Sequence, residues 1–327
     1  MNKNLYQIKS VMIGHAIGDA LGVPVEFCER EELDENPVIK MMGFGSYPVP
    51  AGAWSDDTSM AIATLDSLAK GVVDYDDIMK NFVSWTSEDA YTPTGEMFDI
   101  GRTCLAAIRN YLAPNGRPAL ECGLNDERSN GNGSLMRIHP FALYEFFNES
   151  FNINTIHSAS SLTHAHRRSQ IACGIYSFVL WELLKSHSKE SIRYGLNKAR
   201  RFYGDDVENQ HYNNLYRRIG LVDIHFEDPD TFQYVERKDI KSSGYVVDTL
   251  EAALWCVLTT NNYSDCVLKA VNLGDDTDTV AAVAGGLAGA LYGYDDIPKE
   301  WLDTLIKRDH IENMCETACR NWFGDVE

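Results

Sequence analysis

The run Gly274-Asp275-Asp276-Thr277-Asp278-Thr279 passes without a break into residues 280–292, VAAVAGGLAGALY, the most apolar stretch of a 327-residue chain. Its 13 residues are too few to span a bilayer as a helix, and acids stand directly before them. The spacing predicts a helix over 278–292. Working outward, apolar stripes at helical spacing recur at 6–21 (Ile8, Val11, Met12, Ala16, Ile17), 58–69, 100–112, 169–185, 247–258, 265–271, 299–307 and 311–322. The best alternating pattern, 235–240, is weak, and no β-α-β alternation appears. A nucleotide-binding sheet fold is therefore not expected. Residues 26–53 and 111–134, rich in Gly, Pro or Asn, read as loops, and 205–239 as a polar excursion between helices. The expected architecture is all-α, with one domain over 1–327.

Composition narrows the function. An apolar share of 44% and a charged share of 24% belong to a folded globular chain rather than a fibrous or disordered one. The net charge of −19 repels phosphate backbones and anionic lipid, so partners with a nucleic-acid backbone or a membrane surface are not expected. The same surplus of acid suits cation binding. Residues 1–10 carry Lys3 and Lys9 and lead through His15 and Asp19 without the apolar core of an export signal, which points to the cytoplasm. The eight cysteines are scattered with no C-x-x-C pair and read as reduced, buried thiols, Cys315 and Cys319 sharing one helix face.

Two acidic clusters carry the chemical interest. Trp54-Ser55-Asp56-Asp57-Thr58 and Gly274–Thr279 each stand at a helix start. Capping accounts for one Ser or Asp at such a place, since the side chain accepts a free N–H and a carboxylate favours the positive end of the helix. Two or three adjacent acids with hydroxyls are more than a cap requires. Hard oxygen donors of this kind suit Mg²⁺, Mn²⁺ or Ca²⁺ rather than zinc. Spacing alone leaves two readings open: two separate caps, or one shared cation site if the fold brings both helix starts together. The second cluster is no EF-hand, because Asp276-x-Asp278-x-Val280 lacks the third ligand, the central Gly and the closing Glu.

Three further motifs are weaker alone. GDALGVPVE, 18–26, ends the first helix and leaves Glu26 just beyond it. Gly131-Asn132-Gly133-Ser134-Leu135-Met136-Arg137 is a tight turn or an anion-binding loop to which Arg137 could add charge. His164-Ala165-His166 is a weak metal signal, better read as a histidine packed against a helix start or a ligand. No G-x-S-x-G or H-E-x-x-H is present.

Taken in order, GDALGVPVE, WSDDTSM (54–60), FDIG (98–101), GNGSLMR (131–137), TH (163–164), GYVVDTLEAALW (244–255) and GDDTDTVAAVAGGLAGA (274–290) resemble the ADP-ribosylglycohydrolase family, and its bacterial dinitrogenase reductase-activating branch in particular. The resemblance implies a compact, orthogonal helical domain with a dinuclear metal cleft holding two divalent ions, Mg²⁺ or Mn²⁺. Ser55, Asp56, Asp57 and Asp278 would hold one ion, and Asp276, Asp278 and Thr279 the other, with Glu26 nearby. Backbone N–H groups of Gly133 and Ser134 would cradle a diphosphate, with Asn132 and Met136 in the same loop. His164 would lie by the ADP part, Tyr245 would wall the adenine, and Asp99 would approach the scissile end. Asp56 or Asp57, with Glu26, would be the catalytic carboxylates. The implied reaction removes ADP-ribose from a protein side chain, arginine first, at ribose C1. The partner is an ADP-ribosylated protein or a small ADP-ribose conjugate. The alternatives are a serine, nucleobase or O-acyl linkage, or a non-catalytic ADP-ribose binder or toxin-immunity protein.

Overall fold

The computed structural model describes residues 2–204, 210–216, 218–220 and 231–324. Among them the helices are α1 (Lys3–Gly22), α2 (Arg30–Glu35), α3 (Asp56–Leu68), α4 (Tyr75–Glu88), α5 (Arg102–Leu112), α6 (His139–Phe147) and α7 (Ile153–Ser161). The chain continues through α8 (Arg167–Ser186), α9 (Lys189–Gly204), α10 (Val246–Leu258), α11 (Tyr263–Val271), α12 (Thr277–Tyr292), α13 (Lys299–Thr304) and α14 (Arg308–Phe323). No β-strand occurs among the described residues; two isolated bridges join Leu124 to His164 and Gly131 to Tyr245. The fold is all-α, as the periodicity predicts. No described helix is long and apolar enough to cross a membrane.

The α1–α12 pair organises the molecule. Every residue of α1 from Gln7 to Gly22 is buried, and α12 is buried from Thr277 to Leu291. Helices without a polar face must be enclosed by other helices. Gly14, Gly18 and Gly22 fall four residues apart on α1, and Gly285 and Gly289 do so on α12. A Cβ at Gly18 would lie 2.1 Å from the Ala281 carbonyl oxygen, and one at Gly22 would lie 2.3 Å from the Asp278 Cα. The two backbones therefore touch. Gly14 faces Gly285, Gly18 faces Ala281 and Gly22 faces Asp278, so the helices run antiparallel and the end of α1 meets the start of α12. One contiguous buried cluster continues from this pair out to Cys315 and Cys319 on α14.

Five helices lie outside the segments picked out by periodicity, and one of them, the six-residue α2, stands inside the stretch 26–53 read as a loop, too short to show a period and burying only Leu33. In α4, Asp74 Oδ1 accepts from the Asp77 N–H at 3.0 Å, and Ile78, Met79, Phe82 and Trp85 form the buried face, a readable amphipathic pattern. The nine residues each of α6 and α7 are too few to show a clear period. In α9 the buried stripe alternates large and small residues, Ile192, Leu196 and Tyr203 with Ser191, Gly195 and Ala199, a readable amphipathic pattern. The alternation at 235–240 is not a strand. It follows one short 3₁₀ turn, Phe232–Tyr234, and contains another, Arg237–Asp239. Its carbonyls serve side chains rather than a ladder: Val235 O accepts from Trp255 Nε1 at 3.0 Å, and Ile240 O from Arg30 Nη2 at 2.7 Å. Of the excursion at 205–239, residues 205–209, 217 and 221–230 lie outside the described residues.

Candidate functional site

The start of α3 is anchored to α1. Ser55 caps α3, its Oγ accepting from the Asp57 N–H at 3.3 Å. Asp19, fully buried on α1, accepts from the Ser55 N–H at 2.9 Å, the Thr58 N–H at 3.0 Å and the Thr58 hydroxyl at 2.6 Å. Asp19 takes up the free donors of that helix end and sets Asp56 and Asp57 beside the α1–α12 seam. The start of α12 is held in turn by Thr277 Oγ1, which donates to Gly22 O at 2.8 Å. Two reciprocal backbone bonds, Phe27 N to Asp275 O at 2.7 Å and Asp275 N to Cys28 O at 2.9 Å, join the loop carrying Glu26 to the loop carrying Asp276.

The two acidic clusters meet. Thr279 Oγ1 donates to Asp57 Oδ2 at 3.2 Å, and Ser55 Oγ donates to the same oxygen at 3.3 Å. Glu26, Asp99 and Asp278 carboxylate oxygens lie within 4.8 Å of one another. Asp276 occupies the N-cap position of α12, yet its carboxylate makes no capping bond. Instead its Oδ2 accepts from Asn132 Nδ2 at 3.0 Å. The cap reading thus holds for Ser55 and fails for Asp276, and the acids share one site.

A cavity of about 420 Å³ opens on this group. Glu26, Asp56, Asp99, Asp276 and Thr279 form part of its wall, and Asn132, Gly133, Met136 and His164 form another part. Ser55, Asp57 and Asp278 lie behind the wall, each 1% exposed. Asn132 N donates to Gly244 O and Val246 N to Asn130 O, both at 3.1 Å, which sets the 131–133 loop against the start of α10. His164 is buried, its Nδ1 2.9 Å from Thr163 Oγ1, and burial with the Arg137 charge lowers its pKa to about 3, so the ring is neutral. His166 caps α8, accepting from the Arg168 N–H at 3.2 Å, so the two histidines of the H-x-H do not form a metal pair.

Three more residues read as site candidates are placed away from the wall. Ser134 is fully buried, and its Oγ accepts from Ser160 Oγ at 2.9 Å, facing the core. Tyr245 does not line the cavity; the Arg168 guanidinium sits 5.7 Å from its ring centre. Arg137 adds no charge to the loop. It is fully buried, donates to Ala159 O at 3.1 Å and to Thr163 Oγ1 at 2.7 Å, and lies over the Phe82 ring. Two residues that sequence reasoning missed are Asp19 and Tyr47, whose hydroxyl lies in hydrogen-bonding reach of Glu26 and Asp99. The GDALG run contained Asp19, but its partners are 36 or more residues away, beyond any local pattern.

The electrostatics call for a cation. Burial, then the charges of neighbouring carboxylates, push Asp56, Asp57 and Asp278 well above the usual range. Glu26 rises to about 8, by burial and the charges of Asp99 and Asp276. Burial raises Asp19 to about 6. Four buried acceptor oxygens, Glu26 Oε2, Asp57 Oδ1, Asp276 Oδ1 and Asp278 Oδ2, have no protein partner among the described residues. Buried acceptors without donors, on acids that repel one another, fit hard divalent ions.

A pH dependence follows. In chelator, the folded chain keeps protons on Glu26 and Asp19 that the unfolded chain releases near its ordinary values of 4.5 and 3.8. The folded state then binds more protons, so stability falls as pH rises through 6 and 8. Urea unfolding in EDTA should show a loss on the order of 3 kcal/mol between pH 5 and 8. Excess Mg²⁺ should flatten that fall, and an equal slope with and without the ion would contradict the cation reading.

A model of the ADP-ribosylglycohydrolase family matches residues 2–325. The chain belongs to the ADP-ribosylglycohydrolase family. This glycohydrolase is 34% identical to the ADP-ribosylarginine hydrolase Tri1 of Serratia proteamaculans over 96% of its own length and 79% of that protein. It is 33% identical to the ADP-ribosyl-[dinitrogen reductase] glycohydrolase of Rhodospirillum rubrum, covering 90% of its own chain and 88% of the other. Among solved structures, an ADP-ribosylglycohydrolase-related protein complex superposes with a TM-score of 0.78 at 29% identity, covering 99% of this chain and 100% of that one. In this ADP-ribosylglycohydrolase the family match spans both acidic clusters and the loop between them in sequence.

Proposed function

We propose that this enzyme hydrolyses the C1 glycosidic bond of ADP-ribose attached to an arginine side chain, at a dinuclear Mg²⁺ or Mn²⁺ centre. The contact of Thr279 Oγ1 with Asp57 Oδ2 carries the reading, because it makes one site of two clusters 222 residues apart. The names of the Serratia and Rhodospirillum relatives support the substrate class. The same reading places the enzyme in the cytoplasm as one domain over 1–327.

Ser55, Asp56, Asp57 and Asp278 would hold one ion, and Asp276, Asp278 and Thr279 the other. Bound there, divalent ions supply Lewis-acid polarisation of the ribose hydroxyls and make a nearby water more acidic. The chain's own groups do the rest. Asp56 lines the cavity and Asp57 does not, so Asp56 is the carboxylate that takes the water's proton. Glu26 lies on the same cavity wall beside Asp99 and Asp276 and is the other carboxyl placed for acid/base work, at the departing guanidine nitrogen. The surrounding carboxylates stabilise the positive charge that develops on the ribose, as in glycoside cleavage generally. Gly133, on the cavity wall, would face the diphosphate, and neutral His164 would orient the ADP part.

The test follows release of ADP-ribose from an ADP-ribosyl-arginine protein. EDTA should abolish release, and Mg²⁺ or Mn²⁺ should restore it. Cleavage of a serine conjugate with the arginine conjugate untouched would reject the substrate assignment, and full activity after confirmed metal removal would reject the centre.

A further inference from the structure

Phe27 follows Glu26 and is the one phenyl, phenol or indole ring on the cavity lining among the described residues. It is 69% exposed. Its backbone sits at φ +66, a left-handed conformation that a side chain disfavours. That conformation is held from both sides. The Phe27 N–H donates to Asp275 O, the Cys28 carbonyl accepts from the Asp275 N–H, and the carbonyl of Glu26 accepts from Ser46 Oγ. Asp275 itself is left-handed, at φ +68. Glycine would meet the backbone demand without strain. A large apolar ring instead stays in water at a strained position, flanked through its own bonds by the carriers of two cavity carboxylates, Glu26 and Asp276. Backbone strain and an exposed ring held together at a cleft mark a ligand contact rather than a packing role.

An aromatic face beside carboxylates is the chemistry that recognises an organic cation, and a planar guanidinium stacks on such a face. We propose that Phe27 is a specificity-determining residue, the platform on which a cationic leaving group, the guanidinium of an arginine linkage, rests during cleavage. The inference rests on the arginine reading above. The ring does not touch the reacting atoms; it selects a charged, planar leaving group over a neutral one.

The experiment compares wild type, Phe27→Ala, Phe27→Leu and Phe27→Trp on an ADP-ribosyl-arginine peptide and on an ADP-ribosyl-serine peptide, with ADP-ribose affinity measured by calorimetry. Phe44→Ala is the control: Phe44 is 74% exposed and left-handed at φ +59, yet lies off the cavity lining. Phe27→Ala and Phe27→Leu should each lower kcat/KM on the arginine peptide about threefold to thirtyfold, mainly through KM, while Phe27→Trp keeps it. Turnover of the serine peptide, whatever its level, and ADP-ribose affinity should not change. An arginine rate unchanged in Phe27→Ala, a wild-type rate in Phe27→Leu, or equal losses on both peptides would overturn this inference alone. A wild-type enzyme that leaves the arginine peptide intact would overturn the substrate assignment and this inference with it.

Discussion

Asp278→Asn is expected to cut turnover about a thousandfold or more, the several kcal/mol that a divalent centre contributes to such a transition state. The same change should make the metal-free protein more stable. Asp278 is 1% exposed; its Oδ1 accepts from the Thr279 N–H at 2.8 Å, and its Oδ2 has no partner. Burial, then the charges of Glu26, Asp276 and Asp57, disfavour its ionised form. Asn keeps the shape and cannot ionise, so the cost of burying or protonating a carboxylate there is gone while the packing stays. Wild type should gain about 2.7 kcal/mol in urea unfolding with Mg²⁺ at a hundred times its Kd, and the variant far less. Loss of activity with a stabler apo fold separates a lost ligand from a broken structure. A variant that turns over at the wild-type rate and still responds to Mg²⁺ would remove Asp278 from the centre.

Gly18→Ala should cost about 3 kcal/mol or more in stability, a large value for one methyl group. The added Cβ would sit 2.1 Å from Ala281 O and 2.5 Å from Ala281 C, both backbone atoms of α12. No rotamer change relieves a clash with backbone, so α1 and α12 must part. Their separation moves Asp19 and Glu26 on one side away from Asp276 and Asp278 on the other. Mg²⁺-dependent stabilisation and turnover should therefore fall along with the unfolding midpoint. Gly101→Ala is the stability control. Gly101 has φ −62 and nothing within 4 Å of a built Cβ, so its midpoint should shift by less than about 0.5 kcal/mol. Wild-type stability in Gly18→Ala would mean that the two helices are not in backbone contact.

Much of the candidate site was legible as pieces. Ser55 with Asp56 and Asp57, and the acids at 275–278, stand out because adjacent carboxylates at a helix start exceed what a cap needs. Asp99, read as a substrate contact, lies within the carboxylate group with Glu26 and Asp278. Tyr47 gave no signal, since a tyrosine in a Gly/Pro-rich loop has no period to reveal its side. Arg137 misled, because a cation beside a Gly-rich turn looks like an anion ligand until its fork is seen bonded inward to Ala159 and Thr163. The glycines of α1 and α12 were visible at four-residue spacing. Their meaning depends on which helix they face, and that is not written locally.

Taken alone, the order of residues determined an all-α chain, the starts of its main helices and the oxygen donors gathered at two of them. These follow from contacts within one helical turn, where the 3.6-residue period and the capping of free N–H groups act. Tertiary structure decided that α12 lies antiparallel on α1, that Asp19 locks α3 against that seam, and that Thr279 reaches Asp57. Those outcomes depend on the fit of side-chain volumes between segments hundreds of residues apart. The absence of a Cβ at Gly18 and Gly22 lets two backbones touch, and that contact brings the carboxylates together.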